Sequence, residues 1–189
     1  GRPVPGRDLL ALLPVLDVNA LGFAALRALP AGAGKAAIAA VFCADPFLRM
    51  HDAVQTLKAA GISRVTNFPT IQIIDGAAAH GFDSAGLGMR REAGILGEFV
   101  RAGFEVTGFA ASAESAALLA RQGASGLVLH PGPASVDWRA RAAAGREVAQ
   151  ALRSLRHLTE VPVRVMCPDG YGSELNAAHA LADGRVRYA

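Results

Sequence analysis

The stretch AAIAAVFCADPF, residues 36–47, decides how this chain folds. It is an apolar run of strand length that stops at Cys43 and Asp45 and passes directly into Pro46. A second stretch, RVTNFPTIQIIDG at 64–76, repeats the form and breaks at Asn67 and Asp75. Neither run alternates polar with apolar residues, so each reads as a strand buried on both faces, as in a parallel sheet. Helix-like sequence follows both. In an alternating α/β fold, ligands bind beyond the carboxyl ends of the strands, so the polar residues that end these runs form one candidate site despite their separation in sequence.

Working outward, the same unit recurs. The segments KAAGISRVTNFP, RAGFEVTGFA, RQGASGLVLHPG and ADGRVRYA each place a glycine (Gly61, Gly103, Gly123, Gly184) between a helix and a strand, where a left-handed residue turns the chain back. Amphipathic helices lie between them, marked by Val54 and Leu57, by Ile95, Leu96 and Phe99, and by Leu118 and Leu119. Ser112 and Ser173 are expected to cap the helices that follow the strands near Val106 and Val163, and His179 to sit at a helix end that favours a cation. Strand centres fall near Val41, Val65, Val106, Val128, Val163 and Val186, at intervals averaging about 30 residues, the share of one unit in an eight-stranded barrel. The fold class expected is therefore α/β, a TIM (β/α)8-type barrel, with residues 1–189 as one partial domain. The opening GRPVPGRDLLALLPVLDVNA reads as a long loop leading into a helix, which makes the first two strands and the last helix the missing parts. A complete six-stranded open sheet is the competing reading. The edge near Val41 is expected to be open or covered by another chain, and a homo-oligomer is among the possible assemblies.

Composition narrows the function classes. With 189 residues, 52% apolar and 19% charged, the chain has the makings of a packed core rather than a disordered segment. No apolar run reaches the length of a membrane span and no signal-peptide pattern opens the chain, so a cytoplasmic protein without a membrane partner is expected. The formal charge of +3 does not point to nucleic acid, because the arginines are scattered and few aromatics accompany them. Cys43 and Cys167 are too few for a disulfide framework and lack metal-ligand spacing. AGAGK at 31–35 lacks the glycine spacing and the following hydroxyl residue of a phosphate loop.

Three runs carry a family resemblance: VFCADPF, NFPTIQIIDG and GLGM resemble the signature runs of the phosphoenolpyruvate hydrolase-like TIM-barrel family, within the phosphoenolpyruvate/pyruvate-domain barrels. GRPVPGRDLLALLPVLDVN is similar to the family's loop after its second strand, and LVLHPG to one of its strand ends. The resemblance implies a hydrolase or lyase acting on a small phosphorylated or 2-oxo acid at the barrel mouth, with Mg2+ as the superfamily's metal. On that basis Arg7 is the anion clamp, Asp17, Asn19, Asn67, Thr70 and Cys167 border the substrate, Asp17 and Asp45 hold metal, and His130 and Asp45 are catalytic, His130 as the proton-transfer group. Simpler roles compete: Asp45 before Pro46 as a cap, Asp75 with Gly76 as a turn, Cys43 as a small buried residue, His51, His157 and His179 as surface groups, His80 as a loop residue. The family's Thr- and Gly-rich stretch after His130 is replaced by PGPASVDW, its His and Gly after Cys167 by Pro168 and Asp169, and a Thr by Ala85. Those departures favour an alternative, a non-catalytic metabolite-binding or regulatory barrel.

Overall fold

The computed structural model describes Leu12, residues 17–30 and residues 33–188. Its centre is one sheet of six strands, β1 (Ala39–Ala40), β2 (Arg64–Thr66), β3 (Glu105–Ala110), β4 (Gly126–Leu129), β5 (Val163–Met166) and β6 (Gly184–Val186). They lie side by side in chain order and every pair is parallel. Helices α1 (Val18–Arg27), α2 (Met50–Ala59), α3 (Gly76–Ser84), α4 (Met89–Arg101), α5 (Ala113–Arg121), α6 (Trp138–Leu155) and the short α7 (Asn176–His179) connect or precede them.

The pleat sorts the strand residues onto two faces. Val65, Val106, Ala110, Leu127, Leu129, Val163 and Val165 pack outward on the helices, against Leu57, Leu96, Phe99, Leu119 and Leu152. Phe109, Val128 and Met166 face the other way and gather Phe68, Val186 and Tyr188 around them. That inner cluster shows the curvature. β2 and β6 are four strands apart, which in a flat sheet is about 19 Å. Yet the rings of Phe68, just past β2, and Tyr188, just past β6, have centroids 6.3 Å apart, with Phe109 at 4.9 Å from Phe68. The sheet bends round on itself as a barrel wall does, and the open-sheet alternative fails on this contact.

Three of the expected helix stops have their reason in the backbone. After α2 the chain passes through Gly61 at φ +74°, and the Ile62 N–H reaches back to the Leu57 carbonyl at 3.0 Å, so a left-handed residue satisfies the helix end and delivers buried Ile62 to the core. Gly103 with Phe104 and Gly123 with Ala124 repeat the arrangement. Gly184 does not: it is the first residue of β6, paired with Arg164, and Asp183 makes the turn, its carboxylate accepting from the Val163 N–H at 2.7 Å. Ser112 caps α5, exchanging hydrogen bonds with Ser115. Ser173 is instead the first residue of a single 3-10 turn whose cap position is Gly172. His80 lies on α3, not in a loop.

Candidate functional site

All the strands deliver their carboxyl ends to one rim, and the loop after β2 is the most tightly specified part of it. Asn67 follows Thr66 and is fully buried; its amide donates to the Phe109 carbonyl at 2.9 Å and accepts the Phe109 N–H at 2.6 Å, so a side chain replaces the next backbone rung between β2 and β3. The same amide donates to Glu92 Oε2 at 3.2 Å. Thr70 Oγ1 donates to Oε2 at 2.8 Å, Gln72 Nε2 to Oε2 at 2.9 Å, and the Ile71 N–H to Oε1 at 2.7 Å. Glu92 is thus a buried carboxylate on the first turn of α4 around which residues 67–72 are folded. Four hydrogen-bond donors and a helix N-terminus favour its charge, but burial outweighs them and pushes its pKa up. Burial likewise pushes up the thiol of neighbouring Cys43, the Glu92 charge adds to this and Arg91 opposes it, so Cys43 is the inert core residue the sequence indicated.

A second amide is used in the same way after β1. Asn19, on α1, donates to the Phe42 carbonyl and accepts the Phe42 N–H, each at 2.9 Å, and donates to Asp45 Oδ2 at 2.9 Å. Asp45 Oδ1 accepts the Phe47 N–H at 2.8 Å, so this aspartate caps a local turn rather than α2, whose cap position is Arg49. Asp17 caps α1, accepting the Ala20 N–H at 2.7 Å. Asp17, Asn19 and Asp45 border one cavity of about 240 Å³ that Arg27, Arg49 and Asp52 also line. Among the described residues no group of three or more His, Cys, Asp and Glu side chains is placed to hold a metal ion.

His130 directly follows β4 and is buried, its backbone N–H on the Ala110 carbonyl at 2.9 Å. Its Nδ1 accepts the Gly132 N–H at 3.0 Å, which assigns the ring proton to Nε2 in the neutral form and fixes the ring plane. The loop beyond is braced from the next one: Tyr171 donates to the Pro131 carbonyl at 3.1 Å, and Arg141 holds Glu174 at 2.7 Å and the Ser135 carbonyl at 2.8 Å. Trp138 and Val136 stand out in solvent, so PGPASVDW does not plug the mouth with its large apolar groups. Cys167 directly follows β5, with Sγ 3.1 Å from His179 Nε2. His179 is half-buried, and burial followed by the charges of Arg185 and Arg187 pulls its pKa down; a helix of four residues offers too little dipole to reverse this.

The rim therefore collects Asp45, Asn67, Thr70, His130 and Cys167 at one end of the sheet but not around one cavity. Asp45 lines the space beside α1, and Cys167 a separate one of about 490 Å³ beside α7. Asn67 and Thr70 are consumed by Glu92. Arg7 lies outside the described residues. Glu92 itself ends no strand, and reading strand ends alone misses it. Its signal was an acid in the apolar stripe of α4, at the position that Ile95, Leu96 and Phe99 continue at helical spacing.

Comparison with known proteins now bears on this rim. The sequence profile of phosphoenolpyruvate hydrolase-like proteins matches residues 4–166. The chain belongs to the phosphoenolpyruvate hydrolase-like family. It is 32% identical over 184 residues to the ToMV susceptible protein tm-1(GCR26) of Solanum lycopersicum, and equally to the ToMV resistance protein Tm-1(GCR237) of that plant, covering 93% of this chain and 24% of each. It is 34% identical over 125 residues to the uncharacterized protein y4oT of Sinorhizobium fredii, covering 64% of this chain and 61% of that one. The chain thus spans about a quarter of the tomato proteins. A crystal structure of a proposed phosphonomutase from Burkholderia cenocepacia aligns over 90% of this chain and 92% of its own at 16% identity, with a TM-score of 0.33, too loose to carry an argument. Family membership and the bent six-strand parallel sheet agree with the α/β barrel expected from the sequence. No described helix is long and apolar enough to cross a membrane.

Proposed function

We propose that the rim binds and turns over a small phosphorylated or 2-oxo acid, as a phosphoenolpyruvate hydrolase-like enzyme of the cytoplasm, with His130 as the group that moves a proton. The observation that supports this most is the fixed imidazole: a buried histidine at a strand's carboxyl end, with Nδ1 taken by the Gly132 N–H, has the set tautomer and ring plane that a proton-transfer group needs. Arg7 is assigned the anionic group of the substrate, for which a guanidinium offers two parallel N–H donors. Asn67 and Thr70 act on the substrate through the shape of the loop that Glu92 organises. Mg2+ belongs to the proposal through Asp17 and Asp45. Both oxygens of Asp45 already serve N–H donors, so the ion would be held largely through water, as Mg2+ commonly is, and its part would be to neutralise substrate charge. No nucleic acid or membrane partner enters the reading, and a second copy of the chain is the proposed cover for the outer edge of β1.

A non-catalytic metabolite-binding or regulatory barrel is the second reading. It is favoured by one observation: Asp45 is committed to hydrogen bonds beside α1 and lines a cavity that His130 does not border. A thermal-shift screen of the whole protein with phosphoenolpyruvate and 2-oxo acids, with and without Mg2+, identifies the ligand, because binding raises the melting temperature by mass action. His130→Ala should then lower turnover at saturation by about 100-fold or more. Arg7→Ala should weaken binding more than turnover, having removed contacts common to ground and transition states. A protein that binds but turns over negligibly with and without His130 is the binding module.

A further inference from the structure

The cavity beside α7 has a chemistry of its own. Cys167 lines it, and its sulfur lies 3.1 Å from His179 Nε2. Arg185 and Arg187 line it too, from alternate positions of β6 and its continuation, with Arg185 in register with Val165 on the face of the sheet that packs on α7, and Tyr188 also borders it. Its volume of about 490 Å³ is ample for a small molecule. His179 Nδ1 is buried with no hydrogen-bond partner among the described residues, so the contact of Nε2 with the Cys167 sulfur is the ring's polar contact there. Lowering of the His179 pKa by burial and by the two arginines keeps the ring neutral and able to accept a proton. The other cysteine, Cys43, is sealed in the core.

We propose that Cys167 and His179 form a nucleophilic thiol site selective for anionic low-molecular-weight disulfides, whose carboxylates Arg185 and Arg187 receive. Cys167 Sγ attacks the nearer sulfur of the disulfide while its proton passes to His179 Nε2. The reagent's S–S bond breaks, a mixed disulfide forms on Cys167, and the departing thiolate takes the proton back from Nε2. Sulfur oxidation states are exchanged and no further oxidant is needed. The site is separate from the Asp45 and His130 chemistry, and its test does not depend on that reading.

The experiment measures the reaction of the native whole protein with two probes, dianionic 5,5′-dithiobis(2-nitrobenzoate) and neutral 4,4′-dithiodipyridine, counting only the phase that Cys167→Ser abolishes. Replacing both arginines, Arg185→Gln with Arg187→Gln, should lower the ratio of the dianionic to the neutral rate by about tenfold. His179→Gln should slow both probes about tenfold and remove the imidazole's step from the pH–rate profile; Asp169, Tyr171, Arg185, Arg187 and Tyr188 are the other titratable or charged groups that line the cavity and are unchanged in this variant. Should the double arginine variant fail to fold, raising salt on the unmodified protein should slow the dianionic probe alone. Absence of a Cys167-dependent phase, a probe ratio indifferent to both arginines and salt, or a rate indifferent to His179 would each overturn the proposal.

Discussion

Removing the Glu92 carboxylate tests whether the loop at 67–72 is held from within. In Glu92→Ala four donors lose their acceptor: the Asn67 and Gln72 amides, the Thr70 hydroxyl and the Ile71 N–H. The hydroxyl can rotate and Gln72 still reaches the Phe109 carbonyl at 3.2 Å, but the Ile71 N–H is fixed in the backbone and buried. An orphaned buried donor costs about 1–3 kcal/mol, and breaking a buried charged network about 3–5 kcal/mol. Glu92→Gln should be milder, at about 1–3 kcal/mol: its amide oxygen can take the Oε2 place with three donors, which leaves the NH2 against the Ile71 N–H. For a protein of this size the alanine change corresponds to a drop in melting temperature on the order of 10 °C. Urea unfolding gives the energies, and amide exchange at Ile71 should accelerate in both variants. The pH dependence has a definite sign. Because the folded pKa of Glu92 is raised, its contribution is fully present below its unfolded pKa and is lost as pH rises through the folded value. The advantage of the parent over Glu92→Gln should therefore shrink from acid toward neutral pH. An alanine variant within 1 kcal/mol of the parent, or a gap that widens with pH, would refute the account.

Asn67→Asp replaces a donor with an acceptor facing the Phe109 carbonyl and Glu92, and should destabilise by about 3 kcal/mol or more at neutral pH, with partial recovery on acidification; urea midpoints at two pH values check it. Gly61→Ala finds open space for its Cβ, so its cost of about 1–2 kcal/mol should come from the positive φ alone. Gly108→Ala has an ordinary φ but would bring Cβ to 2.8 Å from a Leu119 methyl, a packing cost of about 1–3 kcal/mol. The two differ in rescue: Leu119→Ala in the same chain should relieve Gly108→Ala and leave Gly61→Ala unchanged, as a double-mutant cycle would show. Ser112→Ala should cost about 1 kcal/mol through loss of its cap.

The order of strands was legible because burial on both faces and a glycine before the strand are properties of single segments: Val65, Val106, Val128, Val163 and Val186 all fall in strands. Val41 falls one residue past β1, where pairing persists only as its N–H on the Thr66 carbonyl. The rim was legible as a set of positions but not as a set of contacts. Asn67, Thr70, Asn19 and Asp45 were recognised at strand or helix ends, yet which way each polar group turns depends on partners far along the chain, Phe109, Glu92 and Phe42 among them. His179 looked like a helix-end cation because the arginines that oppose its charge arrive on β6. Gly184 looked like its three counterparts until the carboxylate of Asp183 took over the turn.

Phe68, Phe109 and Tyr188 meet at the carboxyl end of the strands, where Phe68 is tilted against each of the other two rings and the three make an apolar floor. A ligand of the proposed kind at this rim would meet apolar rings from below, so its polar contacts would have to come from the loops. Selectivity can then drift with the loops while the wall beneath stays as it is, and what the rim accepts is limited to molecules small enough for loops to enclose without help from below.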